Sequence, residues 1–295
     1  MNYYNEIKNI LINNEITKNV KDYSKNKSDL DSYYNVGKLL IEAQGGEARA
    51  KYGNGLIKEY SKKLTSELGK GYSERNLKNM RKFYLFQKGQ PVVAELTWSH
   101  YTILLSLKDI NEFNYYIMQI KKFHLSKREL ISKIKSNEYE RLDEDTKNKL
   151  INKEDTNVTD FIKNPIIINN KYNIMDIKEN VLKKLIIEDM DNFLKELGEG
   201  FCYIGCEYKI KVGNSYNYID LLLFNYIYNC FTVVELKVTE LKKEHIGQIQ
   251  VYMNYVDKYV KKDNHDKTIG IIICRKNKQS LTKRNHLLKQ QICFV

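Results

Sequence analysis

The chain has 295 residues, of which 42% are hydrophobic, so it is long enough for two domains and too apolar to be disordered throughout. Its formal net charge of +12 predicts a polyanionic partner, most simply nucleic acid, although a Lys-rich source composition would also raise this value. The sequence contains no run of about 18 apolar residues and no apolar secretory signal at its start, so we expect no membrane span.

Residues 1–142 are predicted to form an all-helical domain, because apolar residues recur there at helical spacing. One helix is expected over residues 55–68, and a glycine-bearing turn follows it. The next helix is expected to begin after Ser73, a natural N-cap residue. Helix, turn and helix in this order is the arrangement of a helix-turn-helix. A later helix is expected to begin after Ser126.

Basic residues concentrate on this pair of helices. Residues 51–82 contain nine Lys or Arg and three Glu, a net +6, which is half the net charge of the protein. The second helix carries side chains of the types that contact phosphates and base edges, and this predicts a DNA-contacting helix. An ordinary solvated helix face would have a similar composition and remains the alternative. The candidate contact residues are Arg75, Asn76, Lys78, Asn79, Arg81 and Lys82.

Periodicity is lost over residues 143–173, where charges alternate irregularly among Asn and Pro residues. We interpret this segment as a linker, with a short docking element at residues 161–168.

Residues 174–295 are predicted to form a mixed α/β domain. A helix is expected first and ends at Gly198, and the apolar runs after it alternate as strands do. The predicted order is helix 177–197, strands 201–212, 216–224 and 231–238, helix 243–260 and strand 268–274.

Three charged residues interrupt two of these strands. Asp220 lies in one strand, and Glu235 and Lys237 lie on a common face of the next, because side chains alternate along a strand. Charges in core-like strands are costly unless they are paired. A divalent cation and a phosphate would pair two carboxylates and an ammonium, which is the arrangement of a metal-dependent nuclease.

The chemistry matches that reading. Mg²⁺ prefers hard oxygen ligands and is commonly held by one or two carboxylates together with substrate phosphate. Asp220 and Glu235 would supply the carboxylates, the backbone carbonyl of Leu236 a third ligand, and Lys237 would orient the water or stabilise negative charge. The plainer alternative is an ordinary cross-strand ion pair, which contributes under roughly 1 kcal/mol.

Several motifs around these residues resemble one family. The segments FLKELGEGFCYIGCEYKIKVG, YIDLLLF, VVELKV, IGQIQVYMNYVD and TIGIIIC follow in the order found in the PD-(D/E)XK nucleases, and most closely in their YhcG-like branch. Upstream, the segment from YYNVGKLLIEAQGG to NLKNMRKFY and the segment LTWSHYTILLSLKD resemble the helical domain that precedes the nuclease in that branch.

The resemblance implies a restriction-endonuclease-like fold and further site residues. It places an acidic residue of the first helix at the metal, and the alignment on FLKELG favours Glu188. It also gives Gln248 and Tyr252 a supporting role, since they lie four residues apart on one helix face. The tail after Cys274 departs from the family pattern, which raises the prospect of a truncated nuclease domain with an uncovered core.

Together these features predict a two-domain α+β protein that hydrolyses DNA as a Mg²⁺- or Mn²⁺-dependent endonuclease, in restriction, defence or repair. A non-catalytic nucleic-acid-binding or assembly protein on a nuclease scaffold is the alternative, and an RNA substrate ranks lower. A homo-oligomer or a restriction-system partner stays open. Five scattered cysteines without a CxxC pair favour a reducing, cytoplasmic compartment.

Overall fold

The computed structural model describes residues 2–20, 25–46, 54–87, 96–175, 177–274 and 287–294. The chain divides into two compact units, unit 1 (Met1–Ser136) and unit 2 (Asn137–Val295). All regular structure described in unit 1 is helical. Its helices are α1 (Tyr3–Val20), α2 (Lys25–Ala43), α3 (Asn54–Leu68), α4 (Glu74–Gln87), α5 (Trp98–Leu104), α6 (Ile110–Phe123) and α7 (Lys127–Lys135).

The helices of unit 1 begin where the sequence supplies capping groups. The Ser73 hydroxyl accepts from Asn76 N at 3.3 Å at the start of α4, and Ser126 and Glu129 form a reciprocal capping box at the start of α7. Both predicted caps are therefore confirmed. His100 is buried and completes a capping box with Thr97, which is a structural role.

Unit 2 is built on a mixed sheet of six strands. Their spatial order is β1-β6-β5-β4-β3-β2, with parallel pairing from β1 to β4 and antiparallel pairing from β4 to β2. The elements are α8 (Glu144–Asn152), β1 (Ile166–Ile168), α9 (Glu179–Glu188), α10 (Met190–Leu197), β2 (Phe201–Val212), β3 (Ser215–Asn225), β4 (Cys230–Lys237), α11 (Lys243–Tyr259), β5 (Asp266–Cys274) and β6 (Leu287–Phe294).

Apolar residues cover both faces of this sheet. Helices α9 and α10 pack on one face, in a cluster with Leu221, Val234 and Leu236, which we name the α9-side core. Helix α11 packs on the other face with Ile219 and Val233, and we name that cluster the α11-side core. The strand bounds agree with the predicted ones to within two residues. The predicted helix 177–197 is instead two helices, because the backbone of Asp189 (φ −129°, ψ 43°) leaves the helical range.

The segment predicted as a linker is part of unit 2. Residues 143–173 contain α8 and β1, and Ile162, Ile166 and Ile168 are buried in the α9-side core. Ile167 N donates to the Glu196 carboxylate at 2.9 Å, and β1 pairs with β6. The sequence did not reveal this strand, because three residues are too few to show an alternation of apolar and polar side chains. The irregular charges around it made the segment resemble a linker.

The tail also differs from its prediction. The structure carries the chain beyond Cys274 into β6, whose residues pair in parallel with β5 from Gly270↔Leu287 to Cys274↔Gln291. Strand β5, where part of the core was expected to be uncovered, therefore has a paired neighbour. Residues 275–286 lie outside the described part of the chain.

Two sequence-based expectations concern the cellular compartment, one from the cysteines and one from the absence of a membrane span, and the described residues bear on both. Cys202, Cys206 and Cys230 form no disulfide within the described part of the chain. None of the described helices combines the length and the apolar character needed to cross a membrane.

Candidate active site and nucleic-acid interface

The charged residues of the hairpin meet where β3 separates from β4. Described ladder pairs between the two strands run from Asn225↔Cys230 to Leu221↔Val234. At the next position the Asp220 side chain intervenes, and its Oδ2 accepts from Leu236 N at 2.9 Å. Strand β4 continues beside β5 as far as Lys237. The structure brings Asp220, Glu235 and Lys237 together, and the roles that the sequence predicts for them stay predictions.

The pKa of Glu235 is strongly shifted by its surroundings. Its side chain is 2% exposed, and Lys237 Nζ lies 3.4 Å from its Oε2. Its Oε1 is buried and has no hydrogen-bond partner among the described residues. Burial, reinforced by the negative charge of Asp220 and opposed by Lys237, raises the pKa of Glu235 to about 7.

The donor set suits a hard divalent cation. A buried carboxylate oxygen without a partner, next to a second carboxylate, is costly in the free protein and is relieved by a cation. Across the described ranges no group of three or more His, Cys, Asp and Glu side chains could hold a metal by itself. Mg²⁺ does not require one, because it commonly binds through one or two carboxylates, substrate phosphate and water.

Lys183 of α9 belongs to the site, and the sequence analysis missed it. Its Nζ lies 2.7 Å from Asp220 Oδ1 and 3.2 Å from Glu207 Oε1. Burial disfavours the ammonium, but the hydrogen bonds and charges of these carboxylates outweigh it and raise the pKa of Lys183. With Leu236 N on its other oxygen, Asp220 is engaged at both oxygens. In the sequence, the feature that could have pointed to Lys183 was its position next to Leu182, a core residue of the same helix.

Helix α9 presents an acid to the site at a different position from the predicted one. Glu188 accepts from the Tyr172 hydroxyl at 2.9 Å and lies 3.9 Å from Lys171 Nζ. Glu179, at the start of the helix, lies 3.8 Å from Lys237 Nζ. A metal-binding role for Glu188 stays a prediction, and Glu179 is the acid of this helix for which the structure gives contact with a site residue.

Gln248 and Tyr252 form a pair on α11. Gln248 Nε2 donates to the Tyr252 hydroxyl at 2.9 Å, and Tyr252 is buried in the same α11-side core as Val233. Val233 and Glu235 share a face of β4, so α11 covers the face from which Glu235 projects. Near the start of α11, burial and the positive charge of Lys237 lower the pKa of His245.

Unit 1 carries a basic groove between α4 and α5. It has a volume of about 550 Å³. Its charged lining consists of Glu74 and of three residues that we call the groove cations, Arg75, Lys78 and Lys82. Asn79 lines the same groove, and Glu74 pairs with Lys78 at 2.6 Å. Four of the six predicted contact residues thus share one concave surface.

The other two predicted contact residues make bonds within unit 1. Asn76 Nδ2 donates to Gly71 O at 2.8 Å, and Asn76 Oδ1 accepts from Trp98 Nε1 at 3.0 Å. Arg81 donates to Gln44 Oε1 at 3.1 Å. These bonds hold the turn and the helices in place, and sequence spacing alone could not separate such residues from the four that line the groove.

Comparison with known proteins places both units. The sequence model of the YhcG PDDEXK nuclease domain matches residues 159–291, and that of the DUF1016 N-terminal domain matches residues 8–141. The chain belongs to the YhcG-like family of PD-(D/E)XK nuclease domain proteins. A relative in Escherichia coli (strain K12), named "Putative nuclease YhcG", is 27% identical over 283 residues, which cover 82% of this chain and 76% of the relative.

The family assignment confirms the fold class, a helical N-terminal unit followed by a PD-(D/E)XK unit with a mixed sheet. The nuclease match reaches residue 291, so it includes most of the tail that departs from the expected pattern. Among solved structures, a repair endonuclease from Pyrococcus abyssi matches 40% of this chain and 48% of its own, with 19% identity and a TM-score of 0.27. That similarity is too low to support a conclusion.

Proposed function

We propose that this protein is an endonuclease that hydrolyses phosphodiester bonds of DNA with Mg²⁺ or Mn²⁺ as its cofactor. The nuclease domain family supports the reaction class. The observation that carries the proposal is the buried Glu235, whose Oε1 lacks a hydrogen-bond partner among the described residues while Asp220 and Lys237 lie beside it. An ordinary cross-strand ion pair on an exposed sheet would leave both carboxylate oxygens accessible to water.

Each charged residue at the point where β3 separates from β4 has a distinct role in this proposal. Asp220 and Glu235 would hold the cation, with the carbonyl of Leu236 as a further oxygen ligand. Bound there, the cation would lower the pKa of a water molecule and neutralise charge on the phosphate. Lys237, held by Glu235 and Glu179, orients that water and stabilises the negative charge that develops on the phosphate oxygens.

Helix α11 supplies a supporting pair. Because the Gln248 amide donates to the Tyr252 hydroxyl, its carbonyl oxygen remains an acceptor for a proton of the attacking water or of Lys237. Tyr252, buried beneath it, fixes the orientation of the amide.

The groove of unit 1 is proposed to bind duplex DNA. Its three cations lie on one face of α4, at the spacing of successive helical turns, and line a concavity together with the polar Asn79, Thr102 and Ser106. Contacts of this kind bind the phosphate backbone without reading sequence. Unit 1 would therefore supply affinity, and unit 2 the chemistry.

Nicking of a closed circular plasmid tests the proposal, since such a substrate has no ends and reports endonuclease activity alone. We expect nicking with Mg²⁺ or Mn²⁺, none with EDTA, and none from Asp220→Asn, which should still bind the plasmid. Asp191→Asn is the matched control, because Asp191 is an exposed carboxylate paired with its helix neighbour Lys195. Wild-type activity in Asp220→Asn would place the active site elsewhere. Plasmid binding without cleavage in either metal would favour the binding or assembly alternative.

A further inference from the structure

The hairpin formed by β2 and β3 exposes aromatic and basic side chains in facing pairs. In the antiparallel register Lys209 lies opposite Tyr218, and Lys211 lies opposite Tyr216. The two tyrosines are 53% and 58% exposed. Lys209 Nζ lies 3.9 Å from the centre of the Tyr216 ring, so the two pairs form one continuous surface, which we call the Tyr–Lys face.

The opposite side of this hairpin is packed. Ile210 and Ile219 are buried in the α11-side core, and Tyr208 packs against it. Since side chains alternate along each strand, these three residues belong to one face and the Tyr–Lys face is the other. Its tyrosines are therefore displayed by a rigid support, while their own side of the hairpin is open.

The Tyr–Lys face leads along β3 to Asp220, one of the two proposed metal ligands. Tyr216, Tyr218 and Asp220 are spaced two apart on β3, and on β2 Glu207 directly precedes Tyr208, which pairs with Ile219. Lys183 contacts both Glu207 and Asp220, which confirms that those two side chains point to the same side of the hairpin. With a rise of about 3.4 Å per residue, Tyr218 stands roughly 7 Å and Tyr216 roughly 14 Å from Asp220 along the strand.

The charge of this face suits a polyanion. The eleven residues from Tyr208 to Tyr218 include two Lys and no Asp or Glu. Aromatic rings at regular intervals between lysines are the device by which proteins bind single-stranded nucleic acid, since any base can stack on a ring while its phosphate meets a cation. In duplex DNA the bases are stacked on one another, so no base face is available to stack on a tyrosine ring.

We propose that the Tyr–Lys face binds an unpaired DNA strand and delivers one of its phosphates to Asp220. Bases stack on Tyr218 and Tyr216, and Lys209 and Lys211 contact the intervening phosphates. This rests on the proposed function for its catalytic end and names the substrate class, DNA with a single-stranded segment such as a flap, a gap or a branch.

A second copy of this chain is the competing occupant. Strand β2 is an edge strand, and Tyr203 and Ile204 on it are also exposed, so it could pair with another strand. Strand pairing would use the β2 backbone, whereas the Tyr–Lys face uses side chains of both strands and its lysines would repel those of a symmetry-related copy. The face therefore favours DNA over a second copy.

Binding of fluorescein-labelled oligo(dT) to the full chain in EDTA tests the proposal without any cleavage. The variant Tyr216→Leu/Tyr218→Leu removes the rings, and loss of each stacked base should weaken binding roughly 5- to 150-fold. Tyr216→Phe/Tyr218→Phe keeps the rings and should bind like wild type. Tyr226→Leu/Tyr259→Leu is the matched control, with tyrosines that are 65% and 63% exposed elsewhere on unit 2.

The outcomes separate this inference from the proposed catalysis. Wild-type oligo(dT) binding by the double Leu variant overturns the inference, whether or not the plasmid is nicked. Ring-dependent binding in a protein that nicks no plasmid supports the strand site and removes the catalytic proposal. If the Leu variant changes only the sedimentation coefficient, the face is an interface between copies and the inference fails. Lys209→Gln/Lys211→Gln gives an independent variant, expected to weaken binding and its salt dependence, should the Leu variant misfold.

Discussion

Replacing Glu235 by Gln should stabilise the metal-free protein at alkaline pH. The wild-type carboxylate is buried beside Asp220, and its Oε1 lacks a hydrogen-bond partner among the described residues, so the folded state disfavours its charge. Gln has nearly the same shape and is never charged. The variant therefore removes the penalty that the wild-type protein carries whenever Glu235 is ionised.

The size and sign of the effect follow from the pKa. Folding raises the pKa of Glu235 from 4.5 to about 7, so between these values the folded state holds a proton that the unfolded chain has released. The free energy of unfolding of the wild-type protein must then fall as the pH rises through this window, by about 3 kcal/mol in total. Above about pH 7 the difference between wild type and Glu235→Gln stays constant.

Urea unfolding in EDTA at pH 5 and pH 8, followed by circular dichroism, measures this difference. The control is Glu240→Gln, the same chemical change at an exposed carboxylate of the same unit. Trp98 is the single tryptophan of the chain and lies in unit 1, so its fluorescence follows that unit separately. The reasoning is refuted if the wild-type protein and Glu235→Gln lose stability equally between the two pH values.

Addition of Mg²⁺ provides an independent arm of the same experiment. A cation that binds the folded state raises the free energy of unfolding. Mg²⁺ is expected to bind Glu235 only when its carboxylate is ionised. At pH 8 we expect Mg²⁺ to stabilise the wild-type protein and to leave Glu235→Gln nearly unchanged. Equal stabilisation of both proteins would mean that the cation binds somewhere else.

Three further predictions concern Lys183, Gln248 and the groove cations of unit 1. Lys183→Met should bind Mn²⁺ more tightly than wild type in isothermal titration without DNA, because no ammonium then competes for Asp220; unchanged affinity, with exposed Lys184→Met as the control, would contradict this. Gln248→Ala should slow plasmid nicking at an unchanged melting temperature, whereas a lower melting temperature with normal specific activity would make Gln248 structural. Reversal of all three groove cations to Glu should weaken duplex binding and flatten its salt dependence by up to roughly 0.9 per cation; unchanged binding would make unit 1 an assembly module.

Local patterns in the sequence determined the elements and the central residues of the site. Alternation of apolar residues predicted β2, β3 and β4, and it placed Glu235 and Lys237 on one face because that geometry depends only on the strand itself. Ser73 and Ser126 marked helix starts because a cap is formed by residues a few positions apart.

Tertiary structure decided the partners and the energies. Glu179 and Lys183 reach the site from α9 through contacts that span 58 and 37 residues of the chain, which no local spacing reveals. The raised pKa of Glu235 depends on how completely the sheet and helices bury it. Among the basic residues of α4, only packing separated the groove cations from Arg81, which is held by Gln44. Burial and long-range pairing are properties of the assembled fold, so only the three-dimensional structure could supply them.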